Sequence, residues 1–146
     1  MRQAPTRSPI LPAMRLLGAI AVLAAVVGCG SGDGSAAAEP WARLTVTAWP
    51  QGSDAGGQVR WTLRCGPVGG THPNRVRACA RLARLSNPFR PVPKDVACTQ
   101  IYGGPEQALV TGTFRGRKVA ARFSRTDGCQ IERWNRVAVL LPSAAA

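Results

Sequence analysis

Acidic residues are scarce in this 146-residue chain: seven Asp and Glu stand against 19 Lys and Arg, giving a formal net charge of +12. None of the seven is obviously paired with another, so there is no sign of the carboxylate dyad that glycoside hydrolysis uses. Histidine is scarcer still, with His72 alone. One imidazole, no Gly-x-Ser-x-Gly elbow and no His-Glu-x-x-His helix leave little material for nucleophilic or metal-assisted hydrolysis. An enzyme is therefore not expected, and His72 reads as a capping or packing side chain. There is also no Cys-x-x-Cys pair, which argues against a zinc site, so neither metal nor cofactor is expected. Lysine is limited to Lys94 and Lys118, so nearly all of the positive charge is arginine.

What is present begins with a targeting pattern. Residues 1 to 15 carry Arg2, Arg7 and Arg15 and no acid, and Leu16 to Gly28 (LLGAIAVLAAVVG) is an unbroken apolar run of 13 residues. That run is short for a membrane span, which needs about 20 residues, and right for the apolar part of a secretory signal. It ends in Val26-Val27-Gly28-Cys29, small residues before a cysteine, which resembles the processing site of bacterial lipoproteins. The expected organisation is a lipoprotein signal peptide over 1–28, a flexible tether over 29–40 (Gly- and Ala-rich, with no bulky residue before Pro40) and a folded domain over 41–146. Cys29 is the expected lipidation site, which would hold the chain on the outer face of the cell membrane. Loss of the first three arginines lowers the charge from +12 to +9. Such a chain favours anionic partners. Export and only eight aromatic residues argue against nucleic acid.

Without Cys29, four cysteines remain: Cys65, Cys79, Cys98 and Cys129. An even set in an exported chain reads as two disulfides, with three pairings open. Trp41 to Trp49 and Val59 to Cys65 alternate apolar and polar residues and are expected to pair as an antiparallel hairpin. Asn74 to Leu85 follows a helical pattern, with Val76, Cys79, Leu82 and Leu85 near one face and a cap at Thr71 or His72. Ser86 to Val96 holds three prolines and fits neither helix nor central strand. Cys98 to Pro105 reads as a short extended run. Leu109 to Phe114 and Lys118 to Phe123 read as a second hairpin, Asp127-Gly128 as a turn, and Val137 to Leu141 as a last apolar strand. The sum is α+β: five antiparallel strands and one or two helices.

The segment Cys65 to Cys129 resembles the Streptomyces subtilisin inhibitor family. The residues that carry the likeness are Cys65, Gly70-Thr71-His72-Pro73, Cys79, Lys94-Asp95-Val96, Cys98 with Tyr102 four residues on, Gly116-Arg117-Lys118-Val119, and Cys129. The resemblance implies a five-stranded antiparallel sheet with helices on one face, often dimeric through the sheet. It implies disulfides Cys65–Cys79 and Cys98–Cys129, and inhibition of subtilisin-like serine proteases. By the same likeness the reactive bond is Gln100–Ile101, flanked by Cys98, Thr99 and Tyr102. Three features depart from the family: Gly103-Gly104 replaces a single residue, Gln100 is neither bulky and apolar nor basic, and the expected lipid anchor is unlike the freely secreted members. The competing expectation is a non-inhibitory lipoprotein of the same fold that binds an envelope protein or anionic polymer through an arginine-rich face.

Overall fold

Four antiparallel strands form the sheet: β1 (Ala42–Trp49), β2 (Val59–Cys65), β3 (Gln107–Phe114) and β4 (Arg117–Phe123), in the order β2-β1-β3-β4. The structure is a computed structural model and describes residues 39–142. The signal segment, most of the tether and Cys29 lie outside the described residues. The core cluster and both disulfides among the described residues lie within residues 41–141.

The alternation in β1 has a simple cause. Ala42, Leu44, Val46 and Ala48 are all at most 3% exposed, while Arg43 between them is open to water. Their partners in register continue one apolar face: Leu44 sits opposite Leu63, and Val46 opposite Val110, which faces Ala121. A one-residue slip would bring Arg43 and Thr45 into the core, so burial sets the register. Helices α1 (Arg75–Ala83) and α2 (Gly128–Arg136) contribute Ala78, Cys79, Leu82 and Trp134 to the same cluster. The other face of the sheet carries Arg43, Arg60, Arg64, Lys118 and Arg122, all exposed.

The structure corrects several expectations. Four strands are present among the described residues, where five were expected. Val137 to Leu141 is not a strand: Ala138–Leu140 forms a 3-10 turn, with Val137, Leu140 and Leu141 buried. Five apolar residues satisfy either geometry, and here the chain has just left α2 and folds back without reaching a sheet edge. Asp127-Gly128 is the start of α2 and not a simple turn, because the Asp127 carboxylate accepts the Gln130 N–H at 2.9 Å and caps the helix. In α1 the cap position is Asn74, without a side-chain bond, and Val76 is 66% exposed, because the buried stripe is centred on Ala78, Cys79 and Leu82.

His72 is a packing residue, 1% exposed, edge-on to Trp61. Its Nδ1 accepts the Asn74 N–H at 3.1 Å, so Nε2 carries the proton and donates to the Leu140 carbonyl at 3.0 Å. Burial lowers its pKa below the ordinary 6.5, and the bond to Leu140 opposes this in part. A proton on Nδ1 would also cost the Asn74 bond. The unfolded chain therefore takes up the proton first, and stability falls as pH drops below 6.5. Stability is expected to be lower at pH 5.0 than at pH 7.5. Urea unfolding at pH 7.5 and 5.0 checks this, with His72→Gln losing most of the difference. An equal difference in both proteins would remove His72 as its source.

Candidate functional site

The loop between the proline-rich segment and β3 stands on the N-terminal end of α2. The Cys98–Cys129 disulfide ties the loop to the first turn of the helix, with a Cα–Cα distance of 5.4 Å. One residue on, the Thr99 carbonyl accepts the Gly128 N–H at 3.0 Å. Four residues further, the Gly103 N–H donates to the Arg125 carbonyl at 2.8 Å. Between these two anchors lie Gln100, Ile101 and Tyr102, all exposed, with Ile101 at 59% and Tyr102 at 66%. Among the described residues, no backbone group of these three bonds to another backbone group. Ile101 and Tyr102 are two of five large hydrophobic residues exposed among the described residues, with Val68, Val76 and Val96. The Gln100 side chain reaches back, donating from Nε2 to the Cys98 carbonyl at 3.3 Å.

The close approach of loop and helix requires glycine at 128. A Cβ there would overlap the Thr99 hydroxyl. Gly104, at φ 137°, is required on two counts: the backbone angle suits glycine, and a Cβ would collide with the Glu106 carboxylate. The second glycine of the Gly103-Gly104 pair thus lies over a buried acid. Glu106 is 3% exposed and accepts from the Arg125 guanidinium at 3.3 Å. Arg125 in turn supplies the carbonyl that holds Gly103, so this pair braces the loop from its C-terminal side.

Arg133 braces the approach to the loop. It is buried without a carboxylate partner among the described residues, and carbonyl oxygens satisfy it instead. Its Nε donates to Arg90 at 2.7 Å and its Nη1 to Arg122 at 2.8 Å, while the guanidinium lies 4.5 Å over the Phe123 ring. Burial, and then the neighbouring charge of Arg136, lower its pKa from the usual guanidinium value. Arg133 therefore joins the proline-rich segment, β4 and α2, the three elements around the loop.

The disulfides are those implied by the resemblance; Cys65–Cys79, with a Cα–Cα distance of 5.6 Å, staples β2 to α1. Every residue expected at the reactive segment, Cys98 to Tyr102, falls on this one loop. Not foreseen were its supports: the Asp127 cap and Gly128 at the start of α2, and the Glu106–Arg125 pair. The Asp127 cap was the available signal. Cys98, Asp127 and Cys129 lie together, but the two sulfurs are bonded to each other and offer no thiolate to a metal.

Comparison with known proteins identifies the family. The family described as subtilisin inhibitor-like matches residues 38–126. Subtilisin inhibitor-like protein 1 of Streptomyces cacaoi is 34% identical over 86 residues, which covers 56% of this chain and 77% of that protein. The subtilisin inhibitor of Streptomyces violaceus is 32% identical over 122 residues, or 78% of this chain and 83% of that protein. Among solved structures, Streptomyces caespitosus sermetstatin in complex with Bacillus licheniformis subtilisin aligns over 65% of this chain and 94% of that one, at 24% identity and a TM-score of 0.40. With the family match spanning most of the folded domain and relatives covered over more than three quarters of their length, this chain belongs to the subtilisin inhibitor-like family.

Proposed function

We propose that the chain is an extracytoplasmic serine protease inhibitor that offers the Gln100–Ile101 bond to a subtilisin-like enzyme. The observation that carries this reading is the exposed Gln100-Ile101-Tyr102 segment, held between a disulfide with one backbone bond and a second backbone bond. A protease of this class takes its substrate as an extended strand beside its own. The unpaired backbone of residues 100–102 is available for that role. Because both ends are tied to α2 and its approach, little order is lost on binding. The same ties oppose turnover. If the bond is cut, the Ile101 amine stays next to the Gln100 acyl group, and re-closure competes with water.

In this reading Gln100 enters the enzyme's primary pocket. A neutral amide leaves hydrogen bonds unmet in an apolar pocket and lacks the charge that a trypsin-like pocket selects. Moderate inhibition of subtilisin and weak inhibition of trypsin are expected. Gln100→Lys is expected to strengthen trypsin inhibition at least tenfold, about 1.4 kcal/mol. An unchanged trypsin inhibition constant would show that residue 100 does not fill the pocket.

The direct experiment is prolonged incubation with subtilisin, an inhibition assay and mass spectrometry. A single cut after Gln100 with retained inhibition supports the proposal. Degradation or indifference would favour the non-inhibitory reading. The extracytoplasmic placement and the acyl group on Cys29 belong to the same proposal. Their support is the apolar run that ends at Cys29, and a diacylglycerol mass increment on the N-terminal peptide of the processed chain tests them.

A further inference from the structure

The two ends of the sheet differ in charge. At the loop end, Glu106 precedes β3, Asp127 caps α2, and Asp54 lies in the β1–β2 connection beside Tyr102 and Pro105. Arg60 and Arg122 lie on the open face toward this end, opposite Thr47 and Leu109, and Arg125 pairs with Glu106. The opposite end is positive throughout. Arg43 faces Arg64 across β1 and β2, and Lys118 lies one strand further along the same row, opposite Thr113. Arg115 and Arg117 sit at the β3–β4 turn, and Arg84 ends α1, whose Ala83 carbonyl accepts from Arg115 at 2.7 Å. All six cations are exposed. Among the described residues the one acid placed with them is Glu39, 3.1 Å from Arg43. An eight-residue strand separates the two ends by about 25 Å.

Two further observations concern the same end. The chain enters the domain there: Glu39, Pro40 and Trp41 precede β1, and the Trp41 carbonyl accepts the Arg115 N–H at 2.6 Å. Beside the turn lies an open groove of about 650 Å³, with Phe89, Phe114 and Val119 on its floor and Arg90 and Lys118 on its rim. Phe89 and Phe114 meet edge to face at 5.4 Å. Cations over an apolar floor suit a phosphate ester that carries a glyceryl or acyl group.

We propose that this basic end docks on an anionic phospholipid surface, so that the Gln100–Ile101 segment points away from the membrane toward incoming proteases. The orientation rests on the inhibitor reading and on the anchor at Cys29; the lipid contact rests on neither. Clustered cations at a membrane surface act together, and their effect is screened by salt.

The test uses residues 30–146, without an acyl group, and vesicles of phosphatidylcholine alone or with one third phosphatidylglycerol. The anionic vesicles are expected to bind at least about tenfold more tightly at low salt. Arg64→Glu/Arg117→Glu/Lys118→Glu should abolish the preference and leave subtilisin inhibition unchanged. The charge-matched triple Arg60→Glu/Lys94→Glu/Arg122→Glu, outside the six-cation cluster, should retain most of it. The milder Arg43→Gln/Arg84→Gln should weaken binding with an unaltered unfolding midpoint. Equal binding to both vesicles, equal loss in the two triple variants, or binding to soluble polyphosphate without binding to vesicles would overturn the proposal. Inhibition without lipid preference would leave the protease reading standing, and a missing acyl mass on the natural chain would remove only the anchor.

Discussion

Replacing Cys98 and Cys129 together by serine is expected to convert the inhibitor into a substrate, with the subtilisin inhibition constant rising at least ~100-fold and cleavage running on after Gln100. The bond closes 31 residues of chain. In the chain-entropy account such a closure is worth about 4 kcal/mol. That figure belongs to the unfolded chain, and the closed segment includes β3 and β4; the bridge bears on inhibition because one end is two residues from Gln100, so its loss also frees the loop in the folded protein. A weakening of two powers of ten corresponds to about 2.7 kcal/mol. The cut ends would then separate before they rejoin. Cys65→Ser/Cys79→Ser supplies the contrast. That bridge closes 14 residues between β2 and α1, away from the loop. It should lower stability by about 3 kcal/mol and leave the inhibition constant within about twofold while the protein stays folded. Equal weakening by both changes would mean that general stability, and not local stiffness, governs inhibition. No weakening by either would mean that the loop is held without sulfur.

What the sequence disclosed and what it concealed follow from where the information lies. β1 and β2 were legible because each has one buried and one wet face, so burial writes a period of two into neighbouring residues. α1 was legible through Cys79 and Leu82, though its cap was displaced by two residues because His72 spends its ring on Leu140 and on the Asn74 N–H. α2 was hidden by Arg133. An arginine on the buried side of a nine-residue helix interrupts the apolar stripe, and only the fold reveals that the Arg90 and Arg122 carbonyls and the Phe123 ring make that burial tolerable. The loop residues Cys98 to Tyr102 were found by resemblance. Their supports, Gly128 and the Glu106–Arg125 pair, come from separate parts of the chain and become a platform only once α2 forms. The basic end was illegible for the same reason: its cations come from four segments, β1, β2, the end of α1 and the β3–β4 hairpin.

Trp134→Ala is the second large effect, and it tests whether α2 is the foundation of the loop. Trp134 is 2% exposed, on the α2 face that joins the core. Truncation of a buried tryptophan typically costs about 3–5 kcal/mol, from lost transfer free energy and the cavity left behind. A small domain has about 5–15 kcal/mol in total, so the variant should still fold at room temperature, with a sharply lower unfolding midpoint. The consequence for inhibition is distinct from the stability loss. Asp127, Gly128 and Cys129 open α2, and Trp134 lies two turns further along the same helix, so a loosened helix moves both the sulfur and the N–H that hold the loop. Hydrolysis after Gln100 should therefore accelerate more than tenfold at a temperature where Trp134→Ala is fully folded, an effect of ~1.4 kcal/mol or more at the loop. Leu82→Ala, in the same core but on α1, should cost about 2–5 kcal/mol without speeding the cut. Paired unfolding curves and cleavage time courses for the two variants decide the matter. If Leu82→Ala accelerates hydrolysis as much as Trp134→Ala does, the loop answers to the stability of the whole domain and α2 has no special role.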